Sequence, residues 1–80
     1  MRPSLSKRFG QVVRELRLEK GLTQAALGER AGSYFQGYIS RIERGQANPR
    51  LNTIQAIAET LGTTVFDLFD RIRVSKARRN

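Results

Sequence analysis

Three polar side chains, Gln36, Ser40 and Arg41, are spaced i, i+4 and i+5. On a helix those spacings place them along one face. The chemistry they offer is paired hydrogen bonding. A Gln amide donates and accepts at once, which matches N6 and N7 of adenine, and an Arg guanidinium forks onto O6 and N7 of guanine. The Ser hydroxyl acts at shorter range. Gly37, beside them, has no side chain; either it lets a helix backbone approach a groove closely or it only weakens the first turn.

Catalytic readings fare worse. Glu15, Glu19 and Glu43 sit among Arg and Lys at helical spacings, which makes them helical ion-pair partners rather than general acids or bases. Ser6, Ser33 and Ser40 have no His anywhere in the chain to activate them, so a serine-hydrolase mechanism is excluded. The absence of Cys and His also removes disulfides and argues against a zinc site. No enzyme activity, cofactor or metal is expected.

The elements that must position these residues follow from apolar periodicity. Phe9, Val12, Val13 and Leu16 recur at i, i+3, i+4 and i+7, which predicts helix 1 over residues 4–20, capped by Ser4 and ended by Gly21. Thr23 opens helix 2, which closes at Gly32. Helix 3 is expected over residues 36–44, with Phe35, Ile39 and Ile42 as its buried stripe and Gln36, Gly37, Ser40, Arg41 and Arg44 outward. Tyr34 and Phe35 are expected to pack beneath helices 2 and 3. Asn48-Pro49 marks a loop. Ile54, Ile57, Ala58 and Leu61 define helix 4, ended by Gly62, and Thr64 caps a short helix 5 holding Val65, Phe66, Leu68 and Phe69.

This is an all-α order of five helices, with one domain over residues 4–70 and a basic, flexible tail over residues 71–80. A chain of 80 residues holds one domain with a modest core, so a second copy would add useful buried area. Its 15 Lys and Arg against 7 Asp and Glu, a net charge of +8, favour a polyanionic partner. There is no apolar run of about 18 residues and no secretory h-region, so a cytoplasmic protein without membrane association is expected.

Three segments together resemble the Cro/C1-type (XRE-like) helix-turn-helix family, which includes small phage repressors and restriction-modification controller proteins. They are Arg14-Glu15-Leu16-Arg17 through Gly21-Leu22-Thr23-Gln24, then Tyr38-Ile39-Ser40-Arg41-Ile42-Glu43-Arg44-Gly45, and Ala58-Glu59-Thr60-Leu61-Gly62 ending in Asp67-Leu68-Phe69. The resemblance implies a five-helix lambda-repressor-like DNA-binding domain whose helix-turn-helix is made by helices 2 and 3. It further implies that Gln24 contacts a phosphate and braces Gln36, and that Thr23 caps helix 2 near the DNA backbone. Gln36, Ser40 and Arg41 would face base edges; Tyr38, Arg44 and Asn48 would hold phosphates; Arg50 would lie near the backbone or an adjacent minor groove. Arg17 and Glu43 would form a structural ion pair. Residues 33–37 are one more than the commonest family pattern has at this point, so helix 3 begins at Phe35, Gln36 or Gly37.

Val65, Phe66 and Phe69 are the candidate dimer surface, because Leu68 and Phe69 already serve the core and leave Phe66 facing water. Two-fold pairing would set two copies of helix 3 about 34 Å apart, one DNA turn. The expected function is a sequence-specific transcriptional regulator, homodimeric on a near-palindromic operator of double-stranded DNA. Two alternatives stay open: an antitoxin-type regulator that also binds a protein partner, and a nonspecific nucleic-acid-binding module.

Overall fold

In the computed structural model, which describes the backbone of residues 4–77 and the side chains of residues 4–73, three helix starts are capped by hydroxyl side chains. Ser4 is extended and its hydroxyl accepts the Lys7 N–H at 3.1 Å, opening α1 (Leu5–Glu19). Thr23 accepts the Ala26 N–H at 3.0 Å and opens α2 (Gln24–Gly32). Phe35 is the N-cap of α3 (Gln36–Glu43) and contributes no side-chain cap, nor does Arg50 at the start of α4 (Leu51–Thr60). Thr64 accepts the Asp67 N–H at 3.0 Å at the head of α5 (Val65–Ala77).

The helices close around one core. α3 packs on α1 and α2, α2 also packs on α4, and α5 lies across α1 and α4. Val13, Leu27, Ile39, Ile42, Ile57, Leu61 and Leu68 are fully buried. Phe69 stacks on Phe9 with ring centroids 5.9 Å apart, which fastens α5 to α1. Two glycines let backbones meet directly. A Cβ on Gly10 would lie 2.2 Å from the Ile42 carbonyl oxygen, and one on Gly28 would lie 2.3 Å from the Tyr34 carbonyl oxygen. Larger residues at these positions would push α1 off α3 and α2 off the connection.

The turn between α2 and α3 is tight. Ser33 takes the left-handed conformation at φ 60°, its N–H donating to Glu29 O at 3.2 Å while the Tyr34 N–H donates to Gly28 O at 2.9 Å. That pattern satisfies the last carbonyls of α2 and turns the chain. Tyr34 then folds inward, its hydroxyl 2.9 Å from Thr53 Oγ1 and its ring 5.4 Å from that of Tyr38. A non-glycine residue in the left-handed region carries a steric cost of about 1 kcal/mol. Ser33→Gly is therefore expected to stabilise the domain by about 0.5 kcal/mol once the added freedom of the unfolded chain is subtracted. A higher urea midpoint at unchanged slope is the check.

Two expectations need correction. Residue periodicity puts Phe35 in the buried stripe of helix 3 and beneath helices 2 and 3, yet it is 86% exposed. It is the extended N-cap residue rather than a helical one, so the i, i+4, i+7 register does not reach it, and Tyr34 fills the inner position. The chain also does not leave the fold at Arg71. α5 runs on to Ala77, Ile72 is buried in the core one turn after Leu68, and Arg71 Nη2 donates to Glu19 Oε2 at 2.7 Å. Residues 78–80 of the expected tail lie outside the described residues.

Candidate nucleic-acid interface

A buried tether sets the orientation of α3. Arg17, on α1, donates from Nε to Glu43 Oε2 at 2.6 Å and from Nη2 to Glu43 Oε1 at 3.1 Å, while its Nη1 donates to the Leu22 carbonyl at 2.7 Å. Both side chains are almost wholly buried. Two parallel N–H···O bonds constrain angle as well as distance. The last residue of α3 is thus fixed to α1 and to the segment leading into α2.

The tether continues toward the surface. Gln24, the first residue of α2, donates from Nε2 to Glu43 Oε1 at 3.0 Å, and its Oε1 accepts from Gln36 Nε2 at 3.4 Å. An unbroken polar chain therefore runs from buried Arg17 through Glu43 and Gln24 to exposed Gln36 at the head of α3. One Gln36 N–H is used in this brace. Its second N–H and its carbonyl oxygen remain able to donate and accept together.

Helical geometry sorts the rest of α3. At about 100° per residue, Gln36, Gly37, Ser40, Arg41 and Arg44 fall within an arc of about 140°, with Ile39 and Ile42 on the other side. The outer arc is exposed except for half-buried Ser40. Arg41 Nη2 donates to the Gln46 carbonyl at 3.2 Å and Arg44 Nε to the Ser40 carbonyl at 3.3 Å. Both are long, exposed contacts that leave most guanidinium donors available. A Cβ built on Gly37 meets nothing within 4 Å, so this turn has open space before it.

The other candidate residues are distributed as follows. Tyr38 is half-buried against the core and beside Tyr34. Thr23 is exposed, with its hydroxyl engaged by the Ala26 N–H. Asn48 is exposed and its Oδ1 accepts from the Ser6 hydroxyl at 2.9 Å, which leaves its amide N–H groups to donate. Arg50 is exposed at the head of α4. On α5, Val65 and Phe69 are partly buried against the core, while Phe66 is 84% exposed.

Reading by residue type missed the Leu22 carbonyl as an anchor for Arg17 and the Ser6–Asn48 link that joins α1 to the loop before α4. It also missed the close approach at Gly10, for which a lone glycine inside a helical pattern was the available signal. Among the described residues no group of three or more His, Cys, Asp or Glu is placed to hold a metal ion, and no helix is long and apolar enough to cross a membrane.

Among the described residues the structure is all-helical, with the third helix held from behind by Arg17 and Gln24 and a polar, basic arc facing outward. The chain belongs to the helix-turn-helix family, whose profile matches residues 13–68. The transcriptional regulator DdrOP3 of Deinococcus deserti is 42% identical over 60 residues, 75% of this chain and 46% of that protein, so the chain spans less than half of that relative. Control protein C.BamHI of Bacillus amyloliquefaciens is 41% identical over 63 residues, 78% of this chain and 76% of that protein. The crystal structure of the restriction-modification controller protein C.AhdI from Aeromonas hydrophila superimposes with a TM-score of 0.74 at 38% identity, covering 79% of this chain and 94% of that one. The fold is the lambda-repressor-like helix-turn-helix domain.

Proposed function

We propose that this protein is a DNA-binding transcriptional regulator that reads a near-palindromic operator as a homodimer, with α3 in the major groove. The observation that carries the reading is the polar chain from Arg17 to Gln36, which holds the base-matching arc of α3 in one orientation. The net charge of +8 supplies salt-sensitive attraction to phosphates, and the side chains on the arc supply the choice of sequence. In this assignment Gln36, Ser40 and Arg41 face bases. Thr23, Gln24, Tyr38, Arg44, Asn48 and Arg50 contact the sugar-phosphate backbone. Repression or activation then follows from where the operator lies relative to a promoter.

The test is affinity for a selected duplex against a scrambled one across salt. Wild-type protein is expected to prefer the selected duplex at every salt concentration, and equal affinity for both would instead indicate a nonspecific nucleic-acid module. Arg44→Ala is expected to weaken binding to both duplexes alike and to lower the slope of log affinity against log salt by about one, as for a lost phosphate contact. Titrations between about 50 and about 200 mM salt would read it.

Exposed Phe66, beside a shallow groove it lines with Gln55, Glu59, Thr63, Thr64 and Val65, supports self-association through α5. Phe66→Glu is expected to move the protein to the 9.1 kDa monomer in sedimentation, since two carboxylates would meet across a two-fold axis. Unchanged self-association would refute this surface. Co-purification of a second protein through the same residues would favour the antitoxin-type arrangement.

A further inference from the structure

We infer that Phe35 is a specificity-determining residue that packs on the C5-methyl group of a thymine, on the base pair next to the one met by Gln36. The inference rests on the major-groove reading above and extends it to a side chain that residue periodicity assigned to the core. Phe35 is 86% exposed, and it is not surplus core: Tyr34 occupies the inner position, bonded to Thr53 and packed against Tyr38. It stands instead at the head of α3, directly before Gln36, on a turn whose next residue, Gly37, has open space before it.

A lone exposed aromatic needs no explanation by itself. Here it is the one large apolar group at the head of an outer arc made of Gln36, Gly37, Ser40, Arg41 and Arg44, the surface proposed to enter the groove. Among base edges in the major groove, the thymine methyl is the apolar feature, and Phe is among the side chains that match it. Spacing agrees as well. Adjacent Cα atoms are about 3.8 Å apart, and successive bases on one strand are about 3.4 Å apart. Side chains on consecutive residues such as Phe35 and Gln36 can therefore reach neighbouring base pairs. The absence of side-chain bulk at Gly37 lets this first turn come close enough for van der Waals contact.

The experiment is a methyl scan. Each thymine of the selected operator is replaced in turn by uracil, which lacks only the C5-methyl group, and affinities are measured for wild type, Phe35→Ala and Phe35→Leu. Wild type is expected to lose about four-fold at one thymine per half-site, the effect of uncovering one methyl group. Phe35→Ala is expected to bind the thymine operator more weakly and to bind the thymine and uracil versions equally, while Phe35→Leu retains part of the preference. All three should melt alike because Phe35 is exposed, so folding does not confound the comparison.

A scan that is flat for wild type, or a methyl preference that survives Phe35→Ala unchanged, would overturn the inference while leaving base reading by α3 intact. A loss of self-association in Phe35→Ala without loss of methyl preference would likewise overturn it and reassign the residue to a protein contact. If no sequence is enriched from a random pool, the major-groove reading fails first and this inference fails with it.

Discussion

Glu43→Ala is expected to lower the stability of the domain by about 3–5 kcal/mol, because it leaves the Arg17 guanidinium buried without its carboxylate. For a chain of this size that corresponds to a fall in Tm of roughly 15–30 °C, a large share of what a small domain has. The loss comes from stranding a charge rather than from removing a strongly favourable bond. Replacing the whole pair, as in Arg17→Met with Glu43→Leu, should therefore recover most of the stability. It should not recover function. Gln24 would lose its anchor on Glu43 Oε1, and Gln36 would then be braced by an amide free to rotate. Calorimetry on the two variants, followed by binding measurements on the double variant, separates the two roles. Largely restored stability combined with weakened choice at the adenine position is the expected outcome; unchanged choice would show that the polar chain holds the helix but does not aim Gln36.

Arg41→Ala is expected to leave melting unchanged, since its side chain is exposed and its hydrogen bond to the Gln46 carbonyl is long. Binding to the preferred operator should fall by about 1–3 kcal/mol, roughly 5- to 150-fold, as for a lost bidentate contact to guanine. The diagnostic is selectivity. Operators altered at that guanine should now bind the variant nearly as well as the parent sequence, with other positions read as before. A uniform loss across every sequence would make Arg41 a phosphate contact like the one assigned to Arg44, and base reading would have to rest on Gln36 and Ser40.

The helices that obey one period throughout are the ones legible in the chain. α1 carries apolar residues at i, i+3, i+4 and i+7, α4 with its C-cap Leu61 repeats the pattern, and Ser4, Thr23 and Thr64 are capping residues in the positions where caps form. The failures occur where a second influence enters. Phe35 is an extended N-cap rather than a helical position, and its side-chain direction does not follow the helical period. Beyond Asp70 the density of Arg reads as a solvated tail, although Ile72 continues the apolar stripe four residues after Leu68. Electrostatic character masked periodicity there.

The candidate site divides in the same way. Exposure of Gln36, Arg41 and Arg44 follows from their being polar residues opposite Ile39 and Ile42. The Arg17–Glu43 contact spans 26 residues of sequence, and neither spacing nor composition specifies it; only resemblance to a family suggested that pair. The continuation through Gln24 to Gln36 depends on the packing of α2 against α3, which is a tertiary property. The residues proposed to face phosphates are harder still, because an exposed Arg or Asn looks the same whether or not a phosphate lies before it.

The most direct test of α3 as the base-reading element is selection of bound duplexes from a random pool, carried out in parallel with wild-type protein and Arg41→Ala. Wild type is expected to enrich two inverted half-sites about one DNA turn apart. The variant should enrich the same motif with the identity of a single base pair per half-site relaxed. Identical motifs from both proteins, or no motif from wild type, would contradict the account.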